Sequence, residues 1–438
     1  MRTYCGACAG ERGCGDCKKT VNAVEYTGYT EFFAKENVQE MSVFCEGAEK
    51  ERQYGIAKEL FLAADLGTTT LAFVCGDETG EVLASYGTEN PQRNVAADVI
   101  GRVDAALRGQ YDRLTNEIKE ALVKGFLFVL KKGIDEIERK GIYPDKLTVG
   151  MSVAGNTVME HLLLGYPVKG LAKAPFTPYA TELVKLPFST LFSGCTGYDE
   201  LPDLLKEGAV TIFPCLSAFV GGDAVAGAYA LFGQTEKVGE KKQNCALLLD
   251  LGTNGELLLS VKGKLYGTAA AMGSAFEGGA FAYASDLFRL VAEARKQGVL
   301  DETGLLAEPY FTEGFHGLYQ EEIREFQLAK GALRAGIDLL CRRSGISPSE
   351  VEQVYVAGGL GRYCNTEDLF DAELLPRAFY GKTEVVGNSC LGGQLRYLKK
   401  GESMVYWETE LFNLAEEPEF EEQFYRCMNF ERTGETEG

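Results

Sequence analysis

The sequence predicts an α/β fold made of two similar halves, and three observations lead to this prediction. A strand, a tight turn and a second strand occur at residues 60–74, and the same order of residues recurs at 246–259. Segments with helical periodicity follow each copy, at residues 115–140 and 318–343. Strands that alternate with helices are typical of a partly parallel sheet covered by helices. The repeat therefore predicts one such sheet in each half.

The composition is that of a water-soluble globular protein with a large core. The chain has 438 residues, of which 45% are hydrophobic, and its 44 basic and 64 acidic residues give a net charge of −20. Such a charge repels phosphate backbones and anionic lipid surfaces, so we expect neither nucleic acid nor a membrane as a partner. No apolar run approaches the roughly 20 residues of a spanning helix. We therefore expect a cytoplasmic location.

The cysteines do not form the pattern of a disulfide framework. There are thirteen of them, an odd number, and nine are scattered after residue 44. Those in apolar segments are predicted to be free thiols of the core, where a thiol behaves as a small hydrophobic group. They are Cys75, Cys215, Cys245, Cys341 and Cys390.

The first four cysteines form a separate cluster. Cys5, Cys8, Cys14 and Cys17 follow the spacing Cys-x2-Cys-x5-Cys-x2-Cys, with no histidine nearby. Four thiolates in one short segment suit a tetrahedral zinc ion or an iron-sulfur cluster. Zinc ribbons usually separate their two knuckles by about 15–20 residues, so the short spacer favours iron-sulfur chemistry. Zinc and an unligated tail remain alternatives.

The repeated turn has the features of a phosphate-binding loop. In each copy a strand leads into Asp-Leu-Gly-Thr, where glycine exposes backbone N–H groups, threonine adds a hydroxyl and the carboxylate suits a hydrated magnesium ion. A single copy is common for structural reasons, but two copies are able to grip a triphosphate from both sides. The predicted loops contain Asp65, Gly67, Thr68 and Thr69 in the first half and Asp250, Gly252, Thr253 and Asn254 in the second.

A glycine-rich segment follows a buried-strand pattern at residues 354–357. Gly358, Gly359 and Gly361 allow a backbone to approach a flat ring or a ribose closely. On the preceding helix, Gln327, Lys330 and Arg334 share one face. This face is interpreted either as the lining of an adenosine pocket or as a solvated polar surface, and the sequence leaves both readings open.

The two turns and the late glycine segment together resemble the acetate and sugar kinase, heat-shock chaperone and actin superfamily over residues 60–400. Four intervening segments, residues 155–165, 174–178, 221–227 and 271–279, are similar to those of the ATP-dependent reductive activators of corrinoid proteins. This resemblance implies duplicated actin-like (ribonuclease-H-like) ATPase halves that follow a small Cys-rich metal-binding segment.

The resemblance also implies domain limits and roles. An iron-sulfur segment with its linker covers residues 1–58, the first half with a family-specific insert 59–243, the second half 244–400 and an acidic extension 401–438. Asp65, Asp223 and Asp250 are implied as catalytic carboxylates. Asp223 is a candidate for positioning magnesium or the attacking water, with a helix N-cap as its alternative. His161 is interpreted as a core or interface residue.

The cysteine cluster matches the family in part. The segment from Cys8 to Cys17 is similar to the Cys-x5-Cys-x2-Cys loop of the ferredoxin-like domain found in these activators, and either Cys45 or Cys5 is the fourth ligand. The segment before residue 59 is short for a full ferredoxin domain with a linker. The choice between a 2Fe-2S and a 4Fe-4S cluster therefore stays open.

The implied activity is the transfer of an electron, driven by ATP with Mg2+, to the inactive cobalt(II) of a corrinoid protein in a methyltransferase system. A low-potential donor protein would supply the electron. Two alternatives share the nucleotide loops: a small-molecule kinase, and a chaperone-like ATPase with an N-terminal zinc site. The sequence leaves open which corrinoid protein is served, which donor acts and whether the chain forms a homodimer.

Overall fold

A computed structural model describes residues 53–54, 57–232, 245–252, 254–273, 284–312, 317–358, 365–401 and 407–431. The chain divides into two compact units at Phe213 and Pro214. Each unit is built on its own six-stranded sheet.

The first unit contains a mixed sheet with the strand order β4-β3-β2-β6-β8-β7. Strands β2, β3 and β4 form an antiparallel meander, β6 and β8 continue the sheet in parallel with β2, and β7 runs antiparallel to β8. A short parallel pair, β1 with β5, lies apart from this sheet. The strands are β1 (Gln53–Tyr54), β2 (Ala57–Leu66), β3 (Thr70–Asp77), β4 (Val82–Glu89), β5 (Ile142–Tyr143), β6 (Lys146–Gly155), β7 (Val184–Pro187) and β8 (Ala209–Ile212).

Five helices belong to the first unit, among its described residues. They are α1 (Val99–Ala105), α2 (Tyr111–Arg139), α3 (Thr157–Leu164), α4 (Phe188–Phe192) and α5 (Asp203–Lys206). The long helix α2 packs against strands β2, β3 and β4. Its apolar residues recur at helical spacing and are buried, as at Leu114, Ile118 and Leu122, so the periodic pattern that predicted this helix also defines its core face.

The second unit also has one mixed sheet, with the order β13-β12-β9-β10-β11-β14. Its strands are β9 (Cys245–Leu251), β10 (Asn254–Val261), β11 (Lys264–Ala271), β12 (Gln353–Ala357), β13 (Thr383–Gly387) and β14 (Glu408–Leu411). Its helices are α6 (Gly222–Phe232), α7 (Ala284–Lys296), α8 (Gln320–Ser344), α9 (Thr366–Asp371), α10 (Ser389–Lys400) and α11 (Phe420–Met428).

Five of the six strands in each sheet share one topology, which confirms the predicted α/β duplication. In each, an antiparallel meander of three strands is followed across the sheet by two parallel strands: β6 and β8 in the first unit, β12 and β13 in the second. The central strands are apolar over most of their length because they are buried on both faces; Leu247, Leu248 and Leu249 of β9 have no exposed surface.

The division between units lies earlier in the chain than the predicted limit at 243/244. Helix α6 packs against α10 and against β9, so it belongs to the second unit by its contacts. The segment predicted as an acidic extension contributes an edge strand, β14, which pairs in parallel with β11, and helix α11, which packs on α8.

The thiols at the five predicted core positions, from Cys75 to Cys390, are buried and form no disulfide bond with another described cysteine, as the sequence analysis expected. His161 is a core residue too: its Nδ1 lies 2.7 Å from the Thr157 carbonyl oxygen, and its Nε2 accepts the Tyr179 N–H at 3.1 Å. In the part of the chain that the structure describes, no helix is long and apolar enough to cross a membrane.

Candidate nucleotide site

The first predicted phosphate loop is the turn between β2 and β3. Asp65 is the last residue but one of β2, and the turn Gly67–Thr69 leads into Thr70, the first residue of β3. A Cβ atom at Gly67 would lie 2.4 Å from the Thr70 carbonyl oxygen. Only glycine fits this tight turn, so the glycine of the repeated motif has a steric cause.

Three successive carbonyl groups of this turn are held by hydrogen bonds. The Asn90 side chain donates from Nδ2 to Gly67 O at 2.8 Å, Arg102 donates from Nη2 to Thr68 O at 2.5 Å, and the Asn90 backbone N–H donates to Thr69 O at 2.9 Å. In a trans peptide the C=O and the next N–H point in opposite directions. The N–H groups of residues 68–70 therefore point away from Asn90 and Arg102, which leaves them on the side where a phosphate would bind.

The hydroxyl of Thr68 is oriented by Asn156. The Asn156 Nδ2 group donates to Thr68 Oγ1 at 3.0 Å, while its Oδ1 caps helix α3 by accepting the Met159 N–H at 3.1 Å. Because the Thr68 oxygen already accepts one hydrogen bond, its own proton is left to donate elsewhere. Asn156 therefore links the start of a helix to the phosphate turn.

The Arg102 side chain behind the turn is completely buried. Besides Thr68 O, its guanidinium reaches the Ala96 carbonyl from Nε at 3.2 Å and the Met159 sulfur from Nη1 at 3.1 Å. Burial lowers the pKa of Arg102 to about 10, so the group stays cationic at neutral pH. None of the described carboxylates lies within ion-pair distance of it.

The second predicted loop is the turn between β9 and β10. Asp250 lies in β9 opposite Glu256 of β10 and Ala357 of β12. The Gly252 N–H donates to the Asn254 carbonyl oxygen at 2.9 Å and closes the turn. The strand-turn-strand geometry of the first unit is therefore repeated in the second.

The glycine segment after β12 lies against this second turn. Gly358 has a φ of +87°, and a Cβ atom there would lie 2.5 Å from Leu251 O and 2.6 Å from the Asp250 carboxylate. Only glycine combines that backbone conformation with so close an approach. The structure thus brings Gly358 and Asp250 together, two residues that the sequence analysis assigned to one nucleotide site.

Asp223 lies in the first turn of α6, one residue past the start of the helix. Its Oδ1 accepts the N–H of Ala224 at 2.8 Å, which is not the bond pattern of an N-cap residue. Burial raises the pKa of the Asp223 carboxyl to about 6. A half-buried carboxylate at a helix N-terminus has the chemistry of a magnesium or water ligand.

Gln327 and Lys330 of α8 are buried and bonded to backbone carbonyls. The sequence analysis had interpreted them as the lining of an adenosine pocket or as a solvated polar surface. Gln327 Nε2 donates to the carbonyls of Thr303 and Met428 at 3.0 and 3.1 Å. Lys330 Nζ donates to the carbonyls of Cys427 and Asn429 at 3.1 and 2.5 Å. The solvated-surface alternative is therefore wrong for both side chains, and their adenosine role stays a prediction.

Several predicted positions lie outside the described residues. They are Thr253, Gly359, Gly361, Cys5, Cys8, Cys14, Cys17 and Cys45. Among the residues that the structure does describe, no group of His, Cys, Asp and Glu is placed to hold a metal ion.

The supports of the first turn were missed by sequence reasoning. The hydrogen bonds to the turn come from residues 23, 34 and 88 positions away in the sequence, namely Asn90, Arg102 and Asn156. A local sequence pattern does not predict contacts at such separations. One signal was present: Asn156 is part of a segment that carried the family resemblance. An arginine in a short helix gives no comparable signal.

Comparison with known proteins agrees with this geometry. A family model described as the RACo middle region matches residues 60–232, and one described as the C-terminal domain of RACo, the ASKHA domain, matches residues 244–287 and 312–437. The chain is 28% identical to the corrinoid activation enzyme RamQ of Eubacterium limosum over 452 aligned positions, which cover 87% of this chain and 71% of that protein.

A solved structure of a reductive activator for corrinoid, iron-sulfur protein superposes with a TM-score of 0.65. It is 23% identical, and the match covers 88% of this chain and 67% of the other, so it supports the fold.

The duplicated sheets and paired glycine turns define an ATPase-type fold of the ASKHA class. With two models of one family covering most of its length, the chain belongs to the RACo family.

Proposed function

We propose that this chain is an ATP-dependent reductive activator of corrinoid proteins, which uses ATP hydrolysis to drive the one-electron reduction of cobalt(II) to cobalt(I) in a partner. Membership of the RACo family carries this proposal, together with the similarity to a protein named as a corrinoid activation enzyme. The hydrogen-bonded turn between β2 and β3 supports the proposed binding of ATP.

The phosphate contacts are assigned to the two turns. In the first turn, the triphosphate oxygens are assigned to the N–H groups of residues 68–70 and to the hydroxyls of Thr68 and Thr69. These groups suit phosphate because hydrogen bonds on the opposite side of the turn already occupy its carbonyl oxygens and the Thr68 hydroxyl oxygen. In the second, Gly252, Thr253 and Asn254 take the corresponding role. Gly358, Gly359 and Gly361 are assigned to the adenosine.

Three carboxylates are assigned to magnesium and to the attacking water. Asp65 and Asp250 occupy the same position in the two strand-turn-strand units, at the end of a central strand. Asp223 lies in the first turn of α6. Carboxylate oxygens with bound water are the ligands that Mg2+ prefers beside nucleotide phosphates.

The electron path is assigned to the N-terminal cysteines. Cys8, Cys14 and Cys17, with Cys5 or Cys45, are the thiolates that would hold an iron-sulfur cluster, which supplies one-electron transfer when bound. A low-potential donor protein would reduce it. For one electron, a potential difference of about 59 mV against the transfer lowers its equilibrium constant tenfold. Coupling to ATP hydrolysis would supply the free energy that such a transfer needs. A reducing cytoplasmic location suits thiolate ligands.

The proposal is tested by ATP turnover. Anaerobically purified full-length chain should hydrolyse ATP faster when a cobalt(II) corrinoid protein is added. Asp250→Asn should reduce this stimulated rate by about 100-fold or more, because it removes a carboxylate assigned to transition-state charge. Asp199→Asn is the matched control, since Asp199 is an exposed carboxylate away from the predicted loops.

Three outcomes contradict the proposal. Stimulation by sugars or short acids, with none by corrinoid proteins, would identify a small-molecule kinase. Zinc as the sole bound metal, in a colourless protein without iron or sulfide, would instead favour a chaperone-like ATPase. Equal rates for Asp250→Asn and Asp199→Asn would remove the second turn from the mechanism.

A further inference from the structure

We propose that Arg102 is a positioning residue of the nucleotide site: its buried guanidinium sets the first phosphate turn and supplies the positive charge that balances a bound phosphate. This inference rests on the proposed function, because it assigns an anion to the turn Gly67–Thr70.

Arg102 is one of the groups that support the first phosphate turn. Of the three described bonds that hold the carbonyls of residues 67–69, the one from Arg102 to Thr68 O is made by a cation. Thr68 C=O and the N–H of Thr69 belong to the same peptide, and they point in opposite directions. A cation on the carbonyl polarises this peptide and makes its N–H a stronger donor toward an anion on the other side.

The charge of Arg102 has no partner at ion-pair distance among the described residues. The side chain is fully buried, its described hydrogen-bond partners are two carbonyl oxygens and one sulfur, and the nearby carboxylates of Asp98 and Glu117 lie beyond ion-pair distance. A buried charge is costly unless an opposite charge compensates it. A phosphate bound on the outer face of the turn would supply that opposite charge only one peptide away.

A neighbouring carbonyl group in this part of the fold is held without a charge. Gln92 is also fully buried, and its neutral Nε2 donates to the Leu114 carbonyl oxygen at 2.9 Å. A neutral amide therefore performs the same structural task a few residues away. The cation at residue 102 is explained by an anionic ligand better than by the fold.

The test compares anionic and neutral ligands in the full-length protein. Dissociation constants for Mg-ATP, Mg-tripolyphosphate and adenosine are measured by calorimetry for the wild type, Arg102→Gln and Arg102→Lys. Arg108→Gln is the matched control, because Arg108 is exposed just after the same helix and pairs with Asp104. Melting temperatures without ligand report folding.

Arg102→Gln should weaken Mg-ATP and Mg-tripolyphosphate by about 10- to 100-fold, the worth of a charge-assisted interaction, and change adenosine binding by less than about twofold. Arg102→Lys keeps the charge and should lose less than about tenfold. Equal affinities for the wild type and Arg102→Gln would overturn the inference. If Arg102→Gln does not fold, a loss in Arg102→Lys that is equal for adenosine and tripolyphosphate would overturn it instead.

The ligands also separate this inference from the proposed function. Binding of tripolyphosphate that depends on Arg102, without binding of ATP, would keep the anion site and contradict the ATPase. Binding of ATP that is independent of Arg102 would keep the ATPase and contradict the inference. A wild type that binds neither ligand would contradict both.

Discussion

Buried charges occur in both units, but they are compensated in different ways. In the first unit, Arg102 bonds to Thr68 O, Ala96 O and a methionine sulfur. In the second unit, Arg295 and Lys330 share one carboxylate: Glu373 lies 3.1 Å from the Arg295 guanidinium and 3.6 Å from the Lys330 ammonium. The second unit therefore has a carboxylate within ion-pair distance of its buried cations, whereas Asp98 and Glu117 act on Arg102 only from beyond that distance.

The paired cluster holds the end of the chain in place. Phe430 is buried and stacks on Phe326, with ring centroids 6.1 Å apart. The cations of Arg295 and Lys330 lie 4.9 and 4.6 Å from the Phe430 ring centroid. Glu373 also accepts the backbone N–H of Glu431 at 2.8 Å. All of these contacts lie within the fold, so the function of the cluster is structural.

Structural charges and ligand-binding charges differ in their partners. A buried cation with a carboxylate at ion-pair distance is explained by the fold, whereas a buried charge with no opposite charge at that distance indicates a ligand that is still to bind. Asp223 resembles Arg102 in this respect, because no described cation lies within ion-pair distance of its half-buried carboxylate.

The largest effect is expected at the paired cluster. Glu373→Gln should lower the free energy of unfolding by about 3–5 kcal/mol, because it leaves two buried cations without their counter-ion. Urea denaturation measures this change as a lower midpoint. Glu367→Gln, an exposed carboxylate on α9, is the control and should change stability by less than about 0.5 kcal/mol. Similar midpoints for the two variants would contradict a structural role for the cluster.

A smaller effect, opposite in sign, is expected at Asp223. Burial raises the pKa of its carboxyl from 3.8 to about 6, so the folded protein retains a proton that the unfolded chain releases between these pH values. Stability relative to Asp223→Asn therefore falls as the pH rises from about 4 to about 6, and above pH 6 the variant is more stable by about 3 kcal/mol.

Thermal melts at several pH values check this sign. Asp203→Asn is the control, because Asp203 is an exposed carboxylate that also lies in the first turn of a helix. Mg2+ with ATP should reduce the advantage of Asp223→Asn by stabilising the wild type. A variant that is less stable than the wild type above pH 6 would show that Asp223 is paired within the fold.

The local patterns of the chain were enough to predict most of the fold. The strands around Asp65 and Asp250 alternate with long helices. In both kinds of element, the spacing of the apolar residues predicts which side chains are buried. Strand β14 was missed because its four residues give no periodicity and it forms by pairing with β11, a strand far away in the sequence. The contacts of α6 likewise depend on α10, a helix far away in the sequence.

The site was predictable only where its geometry is local. Gly67 and Gly358 were identified because a tight turn or a close approach requires glycine itself. The role of Lys330 was not, since its partners lie 97 and 99 residues away and polar residues on a helix face look alike whether they meet solvent or a buried carbonyl. The role of Arg102 was not predicted for the same reason, because its partner Thr68 lies 34 residues away.

ATP hydrolysis is proposed to drive the reduction of a corrinoid cobalt, and the absorbance spectrum of the corrinoid measures this reduction. With the reduced full-length chain, an electron donor and a cobalt(II) corrinoid protein, the cobalt(I) spectrum should grow only when Mg-ATP is present, and Asp250→Asn should abolish its growth. Cobalt(I) formation at an equal rate and extent without ATP, or ATP consumption with no cobalt(I), would contradict the account.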